Sequence, residues 1–230
     1  MMGSEDFSSL HLDFINDSIN DLSNRFGEAG GVLNIFKGTA IDIFQKISEN
    51  YKILKVYTHY ETGNWKSYQR NIALEKFFKY NGIEWVSFQS NGVVRGMKNR
   101  DGWSYEFNKT MKEPIVEKVN LSKFVSLKGI TDISNSTELN IPSIRYIKNF
   151  NGGEKKAHDQ LDSFLENRGQ HYSKEMSSPL TAANSCSRLS PYLSYGNVSV
   201  KQILRRVRVQ QELIRSKKLR NGWLKSLAAF

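Results

Sequence analysis

The sequence contains a single cysteine, Cys186, which excludes an internal disulfide and a thiolate zinc site. No run of about 18 apolar residues is present, so we expect no membrane-spanning helix and no membrane partner. The N-terminus has neither the basic start nor the apolar core of a signal peptide. We therefore expect a soluble, cytoplasmic protein whose 230 residues form one large domain or two modest ones.

Three common kinds of site are not indicated by the sequence: a dinucleotide-binding loop, a nucleophilic cysteine and a histidine metal site. Residues 27–31 are rich in glycine, but they do not form G-x-G-x-x-G and they follow a helix rather than precede one, so we interpret them as a turn. Cys186 has small neighbours and no base nearby in sequence, which favours a packing role over a nucleophilic one. The four histidines lack the spacing of metal ligands: they are His11, His59, His158 and His171.

Positive charge is concentrated at the C-terminal end. The last thirty residues hold nine lysines and arginines and one acidic residue, Glu212, which accounts for +8 of the net charge of +10. A basic helix of this kind is suited to the phosphates of nucleic acid. It is equally typical of a solvated helix face, or of a surface that pairs with acidic residues of a missing partner segment. The sequence leaves these interpretations open.

The first half of the chain alternates between helices and strands. Apolar residues at three- and four-residue spacing predict three helices. The first covers 10–26, the second begins after an N-cap at Thr39, and the third covers 65–80. Short apolar segments predict strands over 32–36, 53–58 and 83–88. This alternation with short connections is typical of a parallel sheet covered by helices.

The second half is predicted to be helical. A turn-rich stretch follows Gln89, and we interpret about 110–150 as an extended connection between domains. Helical spacing returns after Gly153, and Pro179 interrupts it. The basic helix then places Ile203, Val207 and Ile214 on one side.

One segment, residues 184–199, carries a pattern that indicates a binding site. It packs several serines and Arg188 together, followed by proline and aromatic residues. Ser190 and Pro191 suit a helix start, with serine as the cap and proline at the first helical position. Hydroxyls, free backbone N–H groups and a helix dipole favour a phosphate. An ordinary capped helix fits the same residues, and physical reasoning alone favours it.

The same segment resembles the flavin-binding signature of the DNA photolyase/cryptochrome family. That signature reads Thr-Ser-Arg-Leu-Ser-Pro-Tyr-Leu, and Cys186 replaces its threonine here. The rest matches: Ser187, Arg188, Leu189, Ser190, Pro191, Tyr192 and Leu193, then Tyr195 and Gly196. Tyr172 lies where the family places a tyrosine on the cofactor. Residues 60–63, 82–85, 91–96 and 100–103, with Arg70, are similar to the family's antenna half.

The resemblance implies an FAD flavoprotein in which blue light drives the repair of pyrimidine dimers in DNA. It implies that Tyr172 and the segment from Cys186 through Ser187, Arg188 and Leu189 to Ser190 contact the ribityl-diphosphate part of FAD. It also implies a folate or deazaflavin antenna near residues 59–64, where an ordinary strand-end loop is an equal explanation. If completed by missing segments, the protein would be a deoxyribodipyrimidine photolyase, a carbon–carbon lyase.

The expected fold is α/β: an incomplete Rossmann-like parallel sheet with helices, followed by the start of an all-α FAD-binding domain. We assign 1–110 to the α/β domain, 111–150 to the connection and 151–230 to the helical domain. Compared with the family, two strands before the first helix and most of the helical domain are absent, so the missing C-terminal part is a candidate partner chain.

Two alternatives to repair stay open. Met176 stands where photolyases often carry an arginine toward DNA, which favours a blue-light photoreceptor without repair activity. An inactive fragment of a split gene is the other alternative.

Overall fold

The computed structural model describes residues 8–116, 119–127, 130, 151–216 and 221–229. The chain forms two compact units. Unit 1 combines Met1–Arg25 with Asn140–Phe230, and unit 2 is Phe26–Leu139. Unit 2 holds a small parallel sheet, whereas the described part of unit 1 is helical. The predicted fold class, an α/β part with an incomplete sheet followed by a helical part, is confirmed.

Unit 2 is built around two parallel strands. β1 (Lys55–His59) pairs with β2 (Glu84–Phe88) in a register that runs from Lys55 opposite Glu84 to His59 opposite Phe88. Helices α2 (Ala40–Asn50) and α3 (Trp65–Tyr80) complete its core, and a 3₁₀ turn, η1 (Leu121–Lys123), lies in the same unit. The buried residues of that core are Leu74, Phe78 and Ile83.

Local capping signals set the ends of the unit 2 helices. The Thr39 hydroxyl accepts a hydrogen bond from the backbone N–H of Asp42 at 3.3 Å, which confirms the predicted cap of α2. Asn64 caps α3 in the same way through Ser67. The helix stops at Gly82, whose φ of 66° suits a residue without a Cβ.

One prediction for unit 2 is wrong, and one of its helices is not predicted. Residues 32–36 were predicted as a strand, but they form no ladder: the Val32 N–H bonds the carbonyl of Phe124, and the Asn34 side chain makes the next contacts. A helix, α4 (Trp103–Lys112), occupies residues for which no helix is predicted, between the turn-rich stretch after Gln89 and the connection. Its N-cap is Gly102 without a side-chain hydrogen bond, and Met111 is its one residue classed as buried, so the sequence gives little helix signal.

Unit 1 contains one long N-terminal helix and a series of helices after Gly153. The long helix, α1 (Ser9–Glu28), matches the prediction of a helix over 10–26. The others are α5 (Glu154–Glu166), the 3₁₀ turn η2 (Arg168–His171), α6 (Tyr172–Glu175), α7 (Ala182–Ser185), α8 (Ser190–Ser194), α9 (Val200–Ser216) and α10 (Asn221–Ala229).

The core of unit 1 joins α1 to the later helices. Phe14 of α1 is fully buried, and its ring lies 5.1 Å from that of Tyr192. The other members are Ala157, Leu161, Phe164, Leu165, Leu189, Val198, Ile203, Val207, Ile214 and Leu227. The buried side of α9 is therefore the one predicted from spacing. The compact units differ from the predicted domains in grouping α1 with the helical unit, because Phe14 is buried there.

Polar contacts fasten α1 to the turn that starts α5. Asp17 accepts from the Gly152 N–H at 3.3 Å, and Asp21 accepts from the Glu154 N–H at 3.0 Å. Gly152 lies so close to α1 that an added Cβ would be 2.2 Å from the Phe14 carbonyl oxygen. The turn is therefore shaped to fit against α1.

The predicted connection over 111–150 lies largely outside the described residues, and α4 occupies its start. Across the described ranges, no helix is both long enough and apolar enough to cross a membrane.

Candidate functional site

The residues predicted to bind a cofactor form a short loop, residues 186–190, which we call the site loop. It connects α7 to α8. Leu189, with 1% of its surface exposed, anchors the loop in the unit 1 core. Cys186 and Ser187 are half-buried, whereas Arg188 and Ser190 are exposed. The side chain of Leu189 is therefore taken up by the core, whereas the side chains of its neighbours in the loop reach the surface.

Arg168 holds the site loop from the side of α5. Its guanidinium donates to the carbonyl oxygen of Cys186 and, at 3.4 Å, to that of Ser187. The same group donates to the Ser163 hydroxyl at 2.8 Å and to the Gln160 carbonyl at 3.0 Å. Burial, together with the nearby positive charge of Arg188, lowers the pKa of Arg168 from its usual value. The loop thus rests on a partly desolvated cation.

Tyr172 lies on the same core as the site loop. It follows η2, the turn that carries Arg168, and its ring meets the ring of buried Phe164 edge-on at 5.6 Å. Leu189 belongs to the core that contains Phe164. The predicted site residues are therefore supported by one set of buried side chains.

The predicted helix start at Ser190 needs correction. Helix α8 begins at Ser190 itself, and Leu189 is its N-cap residue without a side-chain hydrogen bond. The Ser187 hydroxyl instead accepts from the Leu189 N–H at 3.4 Å. Because α8 has five residues, its dipole adds little, and phosphate binding would rest on the loop's own groups.

The backbone at Arg188 adopts a left-handed conformation, with φ of 60°. Among the described residues, this is the only positive φ outside glycine. Such a conformation costs a residue with a Cβ about 1–2 kcal/mol. Strain of this kind is concentrated at functional sites, where surrounding structure maintains it.

We expect Arg188→Gly to be more stable than Arg188→Ala by about 1 kcal/mol. Both variants lose the guanidinium, but only glycine relieves the left-handed backbone. Urea denaturation of the two purified variants measures the difference. Equal stabilities would show that residue 188 carries no backbone strain.

The site loop offers a set of donors suited to an anion. The side chains of Arg188 and Ser190 form no hydrogen bond or ion pair with another described residue, so their guanidinium and hydroxyl groups are available to a ligand. The Ser187 hydroxyl accepts a hydrogen bond and retains its own proton to donate. Arg168 and Arg188 also lack acidic partners within the described ranges. Hydroxyls beside uncompensated guanidinium groups fit a diphosphate such as that of FAD.

One arginine of the basic helix α9 is paired with an acidic residue at the surface of the same unit. Arg206 forms an ion pair with Asp162 of α5. Arg208 and Arg215 are exposed, on a helix whose outer side also exposes Val209 and Leu213. A polyanion and a partner segment both remain compatible with this surface.

The loop predicted to lie near an antenna cofactor is occupied by its own contacts. Glu61 accepts from Arg70 at 2.6 Å and from the Gly63 N–H at 2.6 Å. Arg95 donates to the carbonyl oxygens of Glu61 and Gly63, and its guanidinium lies 5.0 Å from the centre of the Tyr68 ring. These bonds account for the residue types in the loop without a ligand.

Solved structures identify the fold as that of photolyases. A bacterial class III photolyase from Agrobacterium tumefaciens matches with a TM-score of 0.65 and 16% identity, over 94% of this chain and 46% of its own. An archaeal photolyase from Sulfolobus tokodaii, solved with two FAD molecules, matches with a TM-score of 0.52 and 17% identity, over 96% and 46%. The chain thus has the photolyase fold and spans about half the length of these proteins. No protein-family model and no curated protein matches it.

Sequence reasoning did not single out Arg168. It lies 18 residues before Cys186 and outside the recognised motif. One signal was present, since an arginine just past the end of a helix is often used to bind backbone carbonyls. Its particular partners, however, depend on how the chain returns after α7.

Proposed function

We propose that this chain belongs to a cytoplasmic flavoprotein of the photolyase/cryptochrome family that repairs pyrimidine dimers in DNA under blue light. Tyr172 and the site loop would hold the ribityl-diphosphate part of FAD. One observation carries the proposal. The Arg188 guanidinium and the Ser190 hydroxyl of the site loop are hydrogen-bond donors available to a phosphate, and they lie on a chain with the photolyase fold. Bound FAD would supply light absorption and electron transfer.

The roles of the individual residues follow from their positions. Arg188 would neutralise phosphate charge, and the hydroxyls of Ser187 and Ser190 would donate to phosphate oxygens. Tyr172 would present its ring and hydroxyl beside the ribityl chain while its edge-on contact with Phe164 holds the ring against the core. Cys186 is similar in size to the family's threonine but is a weaker hydrogen-bond donor. A folate or deazaflavin antenna near residues 59–64 stays a prediction.

Full activity is proposed for this chain together with the rest of the photolyase fold, as part of one polypeptide or as a separate chain. One wall of a pocket does not bury an isoalloxazine ring. We therefore expect the purified chain to retain little flavin, although it would carry the residues proposed to bind the phosphates.

Ligand selectivity tests the cofactor proposal. We expect the chain to bind FAD at least about tenfold more tightly than riboflavin, which lacks the phosphates, since hydrogen bonds from charged groups contribute roughly 1.5–3 kcal/mol. Arg188→Ala should reduce this ratio, and the matched variant Arg206→Ala, in which the lost arginine pairs with Asp162, should preserve it. Fluorescence titration gives both affinities. Equal binding of FAD and riboflavin by the unmodified chain would contradict the proposal.

A blue-light photoreceptor without repair activity is the second candidate. The observation that favours it is Met176, which is 42% exposed and lies one helical turn after Tyr172. A methionine there offers no charge to DNA phosphates. A dimer-repair assay under blue light, with FAD and the chain completed by the rest of the photolyase fold, separates the two functions: repair would exclude the photoreceptor alternative, and flavin binding without repair would exclude the repair function.

A further inference from the structure

The partners of Arg168 are all neutral. Its guanidinium donates to the Ser163 hydroxyl, to the backbone and side-chain oxygens of Gln160 at 3.0 and 3.2 Å, and to the carbonyl oxygens of Cys186 and Ser187. These contacts connect the end of α5 to the start of the site loop. Because none of these described partners is a carboxylate, the guanidinium keeps its full charge beside the loop.

The contacts to the loop carbonyls fix the direction of two peptide groups. In a trans peptide, the C=O of one residue and the N–H of the next point in opposite directions. No described peptide bond is cis. Because Arg168 donates hydrogen bonds to the carbonyl oxygens of Cys186 and Ser187, the N–H groups of Ser187 and Arg188 point away from Arg168.

These two N–H groups are adjacent and have no acceptor among the residues that the structure describes. Successive backbone N–H groups in a turn form a concave surface that binds anions. The exposed guanidinium of Arg188 and the hydroxyl of Ser190 belong to the same loop. The arrangement therefore joins two backbone donors to two side-chain donors.

We propose that Arg168 is a positioning residue: by holding the carbonyls of Cys186 and Ser187, it directs the N–H groups of Ser187 and Arg188 toward a bound diphosphate. The inference rests on the proposed binding of the FAD diphosphate and extends it. Arg168 itself does not touch the ligand. The lowered pKa of Arg168 agrees with its partial burial beside a second cation.

Inorganic pyrophosphate is the probe that tests this role, with the full chain labelled with ¹⁵N at serine and arginine. We expect pyrophosphate to shift the amide signals of Ser187 and Arg188 in the unmodified chain. Arg168→Gln should displace both signals even without pyrophosphate and weaken pyrophosphate binding by roughly tenfold, because the loop loses its charged donor. Arg168→Lys keeps the positive charge but lacks the forked N–H groups of a guanidinium, so its pyrophosphate affinity should lie between those of the unmodified chain and Arg168→Gln.

The matched control is Arg206→Gln, which removes an exposed arginine of the same unit and should leave both amide signals and the pyrophosphate affinity unchanged. A folded Arg168→Gln chain with unaltered signals and affinity would overturn the proposal, as would an unmodified chain in which pyrophosphate shifts neither amide. If Arg168→Gln does not fold, the same comparison with Arg168→Lys decides. Amide shifts with pyrophosphate but no preference for FAD over riboflavin would reject the flavin proposal and keep the positioning role.

Discussion

Phe164→Ala is expected to lower the free energy of unfolding by about 3–5 kcal/mol, the usual cost of removing a fully buried aromatic side chain. The ring is completely inaccessible to solvent and lies among the core residues of α5, α8 and α9. It also supports the edge-on contact with Tyr172. Loss of the ring should therefore loosen the proposed cofactor site as well as the core, and reduce the expected preference for FAD over riboflavin.

Urea denaturation followed by circular dichroism measures this effect. Val209→Ala is the control within the same unit, because Val209 is 51% exposed on α9 and its truncation should change stability by about 0.5 kcal/mol or less. If both variants lost the same small amount of stability, Phe164 could not be the centre of the unit 1 core.

Gly152→Ala is expected to lower the free energy of unfolding by about 3 kcal/mol or more, which is at the upper end of the destabilisation caused by overpacking. The new Cβ would lie 2.2 Å from the Phe14 carbonyl oxygen and 2.3 Å from the Ser18 hydroxyl. The first of these atoms is backbone, so α1 itself has to move. That movement should also break the hydrogen bonds that Asp17 and Asp21 accept from the turn.

Hydrogen exchange of α1 peptides, measured alongside urea denaturation, locates the effect. Gly27→Ala provides the opposite control: it lies inside α1 with no atom within 4 Å of the added Cβ, so alanine should stabilise the helix by about 0.5–1 kcal/mol. Normal protection of α1 in a Gly152→Ala chain would mean that the close approach of the turn is not required.

The sequence predicted those elements whose ends are set locally. Helix α3 begins and ends where the prediction placed it, because Asn64 supplies a cap and Gly82 a left-handed stop within a few residues. The parallel arrangement of β1 and β2 followed from the strand–helix–strand order. In each case, the decisive residues lie close together along the chain.

The features that the sequence did not predict depend on contacts between residues far apart in the chain. Residues 32–36 have a strand-like composition, but a ladder needs a partner strand, and the partner available near Phe124 offers only isolated hydrogen bonds. The site followed the same rule. The motif pointed to Cys186 to Ser190, which stay predicted site residues, whereas the bonds from Arg168 to that loop depend on how the chain returns after α7.

The division of unit 1 into two distant stretches has a consequence for synthesis on the ribosome. Asp17 and its partner Gly152 are separated by 135 residues. At a translation rate of roughly 5–20 residues per second, α1 therefore waits on the order of ten seconds for the surface that buries Phe14. During that interval the nascent chain presents an uncovered amphipathic helix, and chaperone engagement at the N-terminus would protect it until α5 emerges.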